Sequence, residues 1–186
     1  MDLLSTLKSR FFPPELCRIA KTGDVAAIVD FLARTSVVVV AADLGDSAPM
    51  DADPNAIIAI VEAAGQRKSF DGEVHKYELD GEVFLPVFTD AAAAELFCGA
   101  YVSLLGQIHA FRLFRVPGAY VRNGIADKNI IVVNPQSDNE VEIDRSKSEA
   151  IRAGLTETDD LNDAKFLSLA LPAAGISQPI EFTPET

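Results

Sequence analysis

Apolar and polar positions along this chain change their spacing from segment to segment, and the changes mark its elements. Leu3, Leu4, Leu7 and Phe11 recur at helical intervals, which predicts a short amphipathic helix that must stop before Pro13-Pro14. That stripe either folds onto the body of its own chain or is offered to another subunit, so these four residues form a candidate self-association face. Val25, Ile28, Val29 and Leu32 repeat the helical spacing behind Asp24, whose side chain suits a cap for the first free amides. At Thr35–Val40 the helical spacing ends. Four consecutive valines, stiff at χ1, predict a strand covered on both faces.

Residues 43–55 (DLGDSAPMDADPN) lack any period and are expected to be a loop. Asp53 before Pro54 marks a helix start, since proline is tolerated at the first helical position. AIIAIVEAA then reads as a helix ending at Gly65, although so short an apolar run also suits a strand. EVHKYEL and EVFLPVF, separated by Asp80-Gly81, predict an antiparallel hairpin over residues 73–88, because that dipeptide accepts positive φ at both central positions.

The hairpin's second half changes character abruptly. Pro86 cannot donate a ladder hydrogen bond, so it must lie at an edge, at a bulge, or where a partner strand has ended. Thr89 or Asp90 follows as a cap, and the alanine run 91–94 is the best helix-forming material in the chain. Strand, proline, cap and helix thus form one corner.

Residues 110–116 are expected as a strand closed by Pro117-Gly118, AYVRNGIA as one or two helical turns, and Lys128–Val133 as a buried strand stopped by Asn134-Pro135. VEID predicts a short strand, and SKSEAIRAG a helix with Gly154 past its end. A weak helix is expected at about 158–170, followed by a proline-punctuated acidic tail. The alternation implies an α+β (α/β-like) domain: a mixed sheet with a hairpin, flanked by helices around a single core. The expected organisation is an N-terminal amphipathic segment (1–20), the α+β domain (21–155), and a C-terminal helix with its tail (156–186).

Charge narrows the partner classes. The chain has 186 residues, 28 acidic and 16 basic, for a net charge of −12. Such a field repels phosphate backbones and anionic lipid, so neither nucleic acid nor a membrane surface is an expected partner. Arg112 and Arg115 flank Phe114, but positions three apart on a strand face opposite sides, which weighs against a shared anion site. The N-terminus does not resemble a signal peptide, and no apolar run approaches the ~20 residues a membrane helix needs. A cytoplasmic location is expected.

Candidate chemistry is sparse. No GxSxG, HExxH, GxxxxGK[ST] or GxGxxG motif occurs, and Cys17 and Cys98 have neither disulfide nor zinc spacing. They are expected to be reduced thiols packed as small hydrophobes. His75 and His109 are expected at the surface or half-buried rather than as ligands or bases. No catalytic, cofactor-binding or metal residue is assigned, and no cofactor is expected. Thr89 and Asp90, at the corner, together with Asn134, at a strand's C-terminal end, are the candidate lining of a small polar pocket, because ligands in open sheets favour strand carboxyl ends.

The order LPVFTD, helix, FRVPGAYV and then IIVVNP before a polar turn resembles the SseB family, specifically the N-terminal domain shared by those bacterial proteins. Pro86, Val87, Phe88 and Thr89 match its corner, and Asn134-Pro135 its strand end. The helix and valine strand of Asp24–Val40 also fit, so the resemblance covers roughly residues 20–150. It implies an α+β domain and carries over no catalytic residue, cofactor or metal ligand.

Two functional expectations follow. The first is a non-catalytic intracellular interaction or regulatory domain, with an unidentified and preferably basic protein partner, or a second copy of itself. The alternative is a small-molecule binder or enzyme that uses the Thr89–Asp90–Asn134 corner.

Overall fold

The computed structural model describes residues 14–41, 47–49, 51–105, 107–125, 129–158 and 163–170. The stripe of Leu3, Leu4, Leu7 and Phe11 and the acidic tail lie outside them. The first element, α1 (Glu15–Thr22), was not anticipated from periodicity. Its signals are local: Pro14 at the entry, Glu15 in the first turn, Lys21 in the last, and Gly23 at φ 69° just beyond the end. Helix α2 (Val25–Arg34) follows, with the Asp24 carboxylate accepting from the Ala27 amide at 3.1 Å.

The valine run forms β1 (Ser36–Val40) as expected. The segment read as loop contains a short strand, β2 (Ser47–Pro49), whose partner lies far along the chain and leaves no local trace. AIIAIVEAA belongs to helix α3 (Pro54–Gln66), capped by Asp53 accepting from the Asn55 amide at 2.8 Å. The hairpin is β3 (Tyr77–Leu79) and β4 (Glu82–Val87), and its turn has positive φ at both Asp80 (54°) and Gly81 (78°). Its first strand is shorter than expected, because Val74 pairs with Ala41 at the end of β1 instead of with β4.

The alanine helix is α4 (Ala91–Leu105), followed by β5 (Gln107–His109) and β6 (Phe111–Pro117). A 3-10 turn (Gly118–Tyr120) runs into the one-turn helix α5 (Val121–Gly124). Strands β7 (Ile130–Val133) and β8 (Val141–Ile143) precede α6 (Arg145–Gly154), which Asp144 caps. Hydrogen bonds from Ser146 and Lys147 hold the Asp144 carboxyl well below the usual carboxylate range.

The last element corrects an expectation. Residues 165–170 are not helical but form strand β9 (Lys165–Ala170), antiparallel to β6. KFLSLA has acceptable helix propensity, yet β6 presents a free edge beside it, and a ladder on that edge outweighs a weak intrinsic preference.

Strand order is β1-β6-β9 in one sheet and β3-β4-β7-β8 in another, with β2-β5 as a separate ribbon. β4 and β7 run parallel; the other pairs are antiparallel. The two larger sheets meet at β1, where Val38 and Phe88 exchange both backbone hydrogen bonds, at 2.8 and 2.9 Å.

Burial then follows the two-residue period of β1. Val37 and Val39 face a cluster built with α1, α2 and α6, together with Leu85, Val87, Phe114 and Ile131. Val38 and Val40 face the other way, against Phe88, Phe111, Leu113 and the Ala93, Ala94 and Phe97 side of α4. Every valine of the run is buried, which is why it is apolar without alternation. Close packing also fixes Gly118: a Cβ there would lie 2.5 Å from the Leu32 carbonyl oxygen.

Candidate functional site

Pro86 sits where its missing amide is not needed. The β3 ladder on β4 ends at Tyr77↔Phe84, and β1 takes over only at Phe88. Backbone groups alternate sides along a strand, so residue 86 faces the gap between those two partners, while Val87 turns its carbonyl toward the β7 side. A proline in a buried strand therefore leaves no broken ladder.

Thr89, Asp90 and Asn134 converge just beyond it. The Asn134 amide N–H donates to the Val87 carbonyl at 2.9 Å, which carries the β4–β7 ladder one step past the strand ends. Its side chain continues the pattern. Oδ1 accepts from the Thr89 amide at 2.9 Å, and Nδ2 donates to Thr89 Oγ1 at 2.9 Å and to Cys17 Sγ at 3.3 Å. Asn134 holds φ at 50°, a left-handed conformation that asparagine tolerates better than most residues. Asp90 Oδ1 accepts from the Ala93 amide at 2.9 Å and caps α4, while Thr89 Oγ1 donates to Asp90 Oδ2 at 3.2 Å. The residues marked in the sequence are thus brought together, and their polar atoms are engaged with one another and with the backbone.

Residues 16–150 match the family model of the SseB protein N-terminal domain. The chain belongs to the SseB family. No curated protein and no solved structure matches it. The matched span covers both halves of the corner, Pro86–Asp90 and Asn134-Pro135, as well as α1 and β1.

The remaining chemistry of this SseB-family chain is buried. Cys17, beside Asn134, has its thiol pushed up to about 11 by desolvation, so it is protonated at neutral pH. Burial pushes the Cys98 thiol up as well. Both cysteines are free.

The histidines differ from expectation. His75 and His109 are only 2% and 5% exposed, because the residues around them are aromatic and fold over them. Phe111 lies 5.9 Å from the His75 ring and 5.8 Å from the His109 ring, with Phe97 6.5 Å from His75. Burial and the neighbouring His109 lower the His75 pKa to about 4, and burial lowers that of His109.

Arg112 and Arg115 do point to opposite faces. Arg112 is buried, donating to the carbonyls of Arg67 and Ser69 at 3.0 and 3.2 Å and pairing with Asp71 at 3.5 Å, so it ties the exit of α3 to β6. That role was missed in the sequence, where an arginine amid strand residues gives no sign of its carbonyl partners. Among the described residues, no group of three or more potential ligands could hold a metal ion, and no helix is long and apolar enough to cross a membrane.

Proposed function

We propose that this SseB-family chain is a non-catalytic cytoplasmic interaction or regulatory domain whose partner is a basic protein. The observation that carries this reading is the hairpin tip. Leu79 is 57% exposed there, and Glu78 and Asp80 beside it are exposed as well. Glu82 follows across the turn, in an ion pair with Arg145 at 2.8 Å. An exposed apolar residue flanked in sequence by Glu78 and Asp80, on a chain of net charge −12, suits rapid, salt-sensitive capture of a cationic surface. The self-engaged hydrogen bonds of the Thr89–Asp90–Asn134 corner support the same reading, since a ligand there would have to displace bonds that hold β4, β7 and α4 together.

The test is recovery of partners on the immobilised full chain at low and high salt. The expected result is a basic protein retained at low salt, released at high salt, and lost from a Glu78→Lys/Asp80→Lys variant. Recovery of no specific protein under either condition would count against the proposal. The alternative, a small-molecule binder or enzyme using Thr89, Asp90 and Asn134, is favoured by their convergence at strand C-terminal ends.

A further inference from the structure

A cleft of about 290 Å³ lies at one end of the three-stranded sheet, on a different sheet from the hairpin tip. Its walls include Arg34, Thr35 and Ser36 from the α2–β1 junction, Arg115 from β6, and Asp163 and Lys165 at the start of β9. Arg115 and Lys165 are direct cross-strand partners, and both are exposed. Side chains so placed stand roughly 4.5–5.5 Å apart at Cβ, and like charges there repel.

The chain has 28 acids for 16 bases, yet among the described residues neither of these two cations is in an ion pair or hydrogen bond. Arg34, by contrast, is held by Asp30. Two unpaired cations held side by side at the mouth of a cleft concentrate positive potential there.

We propose that this cleft binds a small phosphate group, free or as a monoester, between Arg115 and Lys165. A dianion turns the repelling pair into an attracting triad, and the exposed Ser36 hydroxyl on the same wall can donate a further hydrogen bond. Asp163 lines the same cleft and opposes any anion bound there, so the attraction rests on the adjacent Arg115 and Lys165.

The experiment titrates the isotope-labelled full chain with inorganic phosphate and, separately, with glycerol phosphate, following the amides of Ser36, Arg115 and Lys165 by NMR. Saturable shifts at these positions with either probe are expected, and the tighter probe shows whether the free ion or the ester is preferred. Lys165→Glu should weaken binding at least ten-fold while leaving the melting temperature equal or higher, because it replaces a like-charge pair with an opposite one. Arg18→Glu, on exposed α1 surface, should leave affinity within two-fold. Absence of saturable shifts, or equal affinity in wild type and Lys165→Glu, would overturn the proposal.

Discussion

The two faces of β1 bury polar groups on different terms. On the face shared with α1, Asn134 enters the interior with its side-chain oxygen and nitrogen both bonded, to Thr89 and Cys17. On the α4 face, His109 is also buried, yet neither ring nitrogen has a hydrogen-bond partner among the described residues, and the Phe111 ring lies 5.8 Å away. A bonded amide acts as an extension of the backbone ladder and is indifferent to pH. An imidazole pair walled by phenylalanine tolerates only the neutral form. Burial alone therefore does not tell what a polar residue does; the accounting of its hydrogen bonds does.

The harshest way to break the contrast is to open the α4 face. Phe88 is fully buried at the junction of the two sheets, and Phe88→Ala should cost about 3–5 kcal/mol in urea unfolding. A smaller loss is expected would the core there repack, and that would show the junction to be soft.

Mild acid, between pH 6.5 and about 4, should act next and through that face. His75 has its pKa lowered from 6.5 to about 4, so in the interval between them the unfolded chain takes up a proton that the folded chain refuses. Stability should be fully present above pH 6.5, fall as the pH drops through that window, and level off near pH 4, a loss on the order of 3 kcal/mol. His109, shifted in the same direction, adds to the fall. Denaturation at successive pH values, compared with His75→Phe, checks this; an unchanged pH profile in the variant would contradict it.

Asn134→Ala should cost about 1–3 kcal/mol, since it strands the Thr89 amide, and it should leave the pH profile unaltered. The mildest change is Leu79→Ser at the hairpin tip, expected to shift stability by less than about 0.5 kcal/mol. Its effect should fall on partner binding instead.

Local chemistry explains which parts of this architecture were legible in the sequence. The hairpin turn was visible because Asp80-Gly81 states its own backbone conformation, and the caps at Asp24 and Asp53 because short acids before apolar periods have few other uses; at the corner the reading left Thr89 or Asp90, and Asp90 is the cap. The convergence of Thr89, Asp90 and Asn134 could be inferred from a parallel β4–β7 pairing, as both strands then end at the same level. Features decided by distant partners were not legible. Strand β9 exists because β6 has an open edge, β2 because β5 lies beside it, and Arg112 is buried because three carbonyl and carboxylate groups from the 67–71 loop meet it. His75 was misjudged for the same reason, since its phenylalanine neighbours come from α4 and β6.

In the proposed reading the Thr89–Asp90–Asn134 corner holds strands and helix together and the hairpin tip meets the partner. The most direct test measures partner capture by Asn134→Ala and by Glu78→Lys/Asp80→Lys side by side, each first shown to be folded by NMR. The account predicts that the corner variant retains the partner and the hairpin variant loses it. Retention by the hairpin variant with loss by the corner variant would contradict the account.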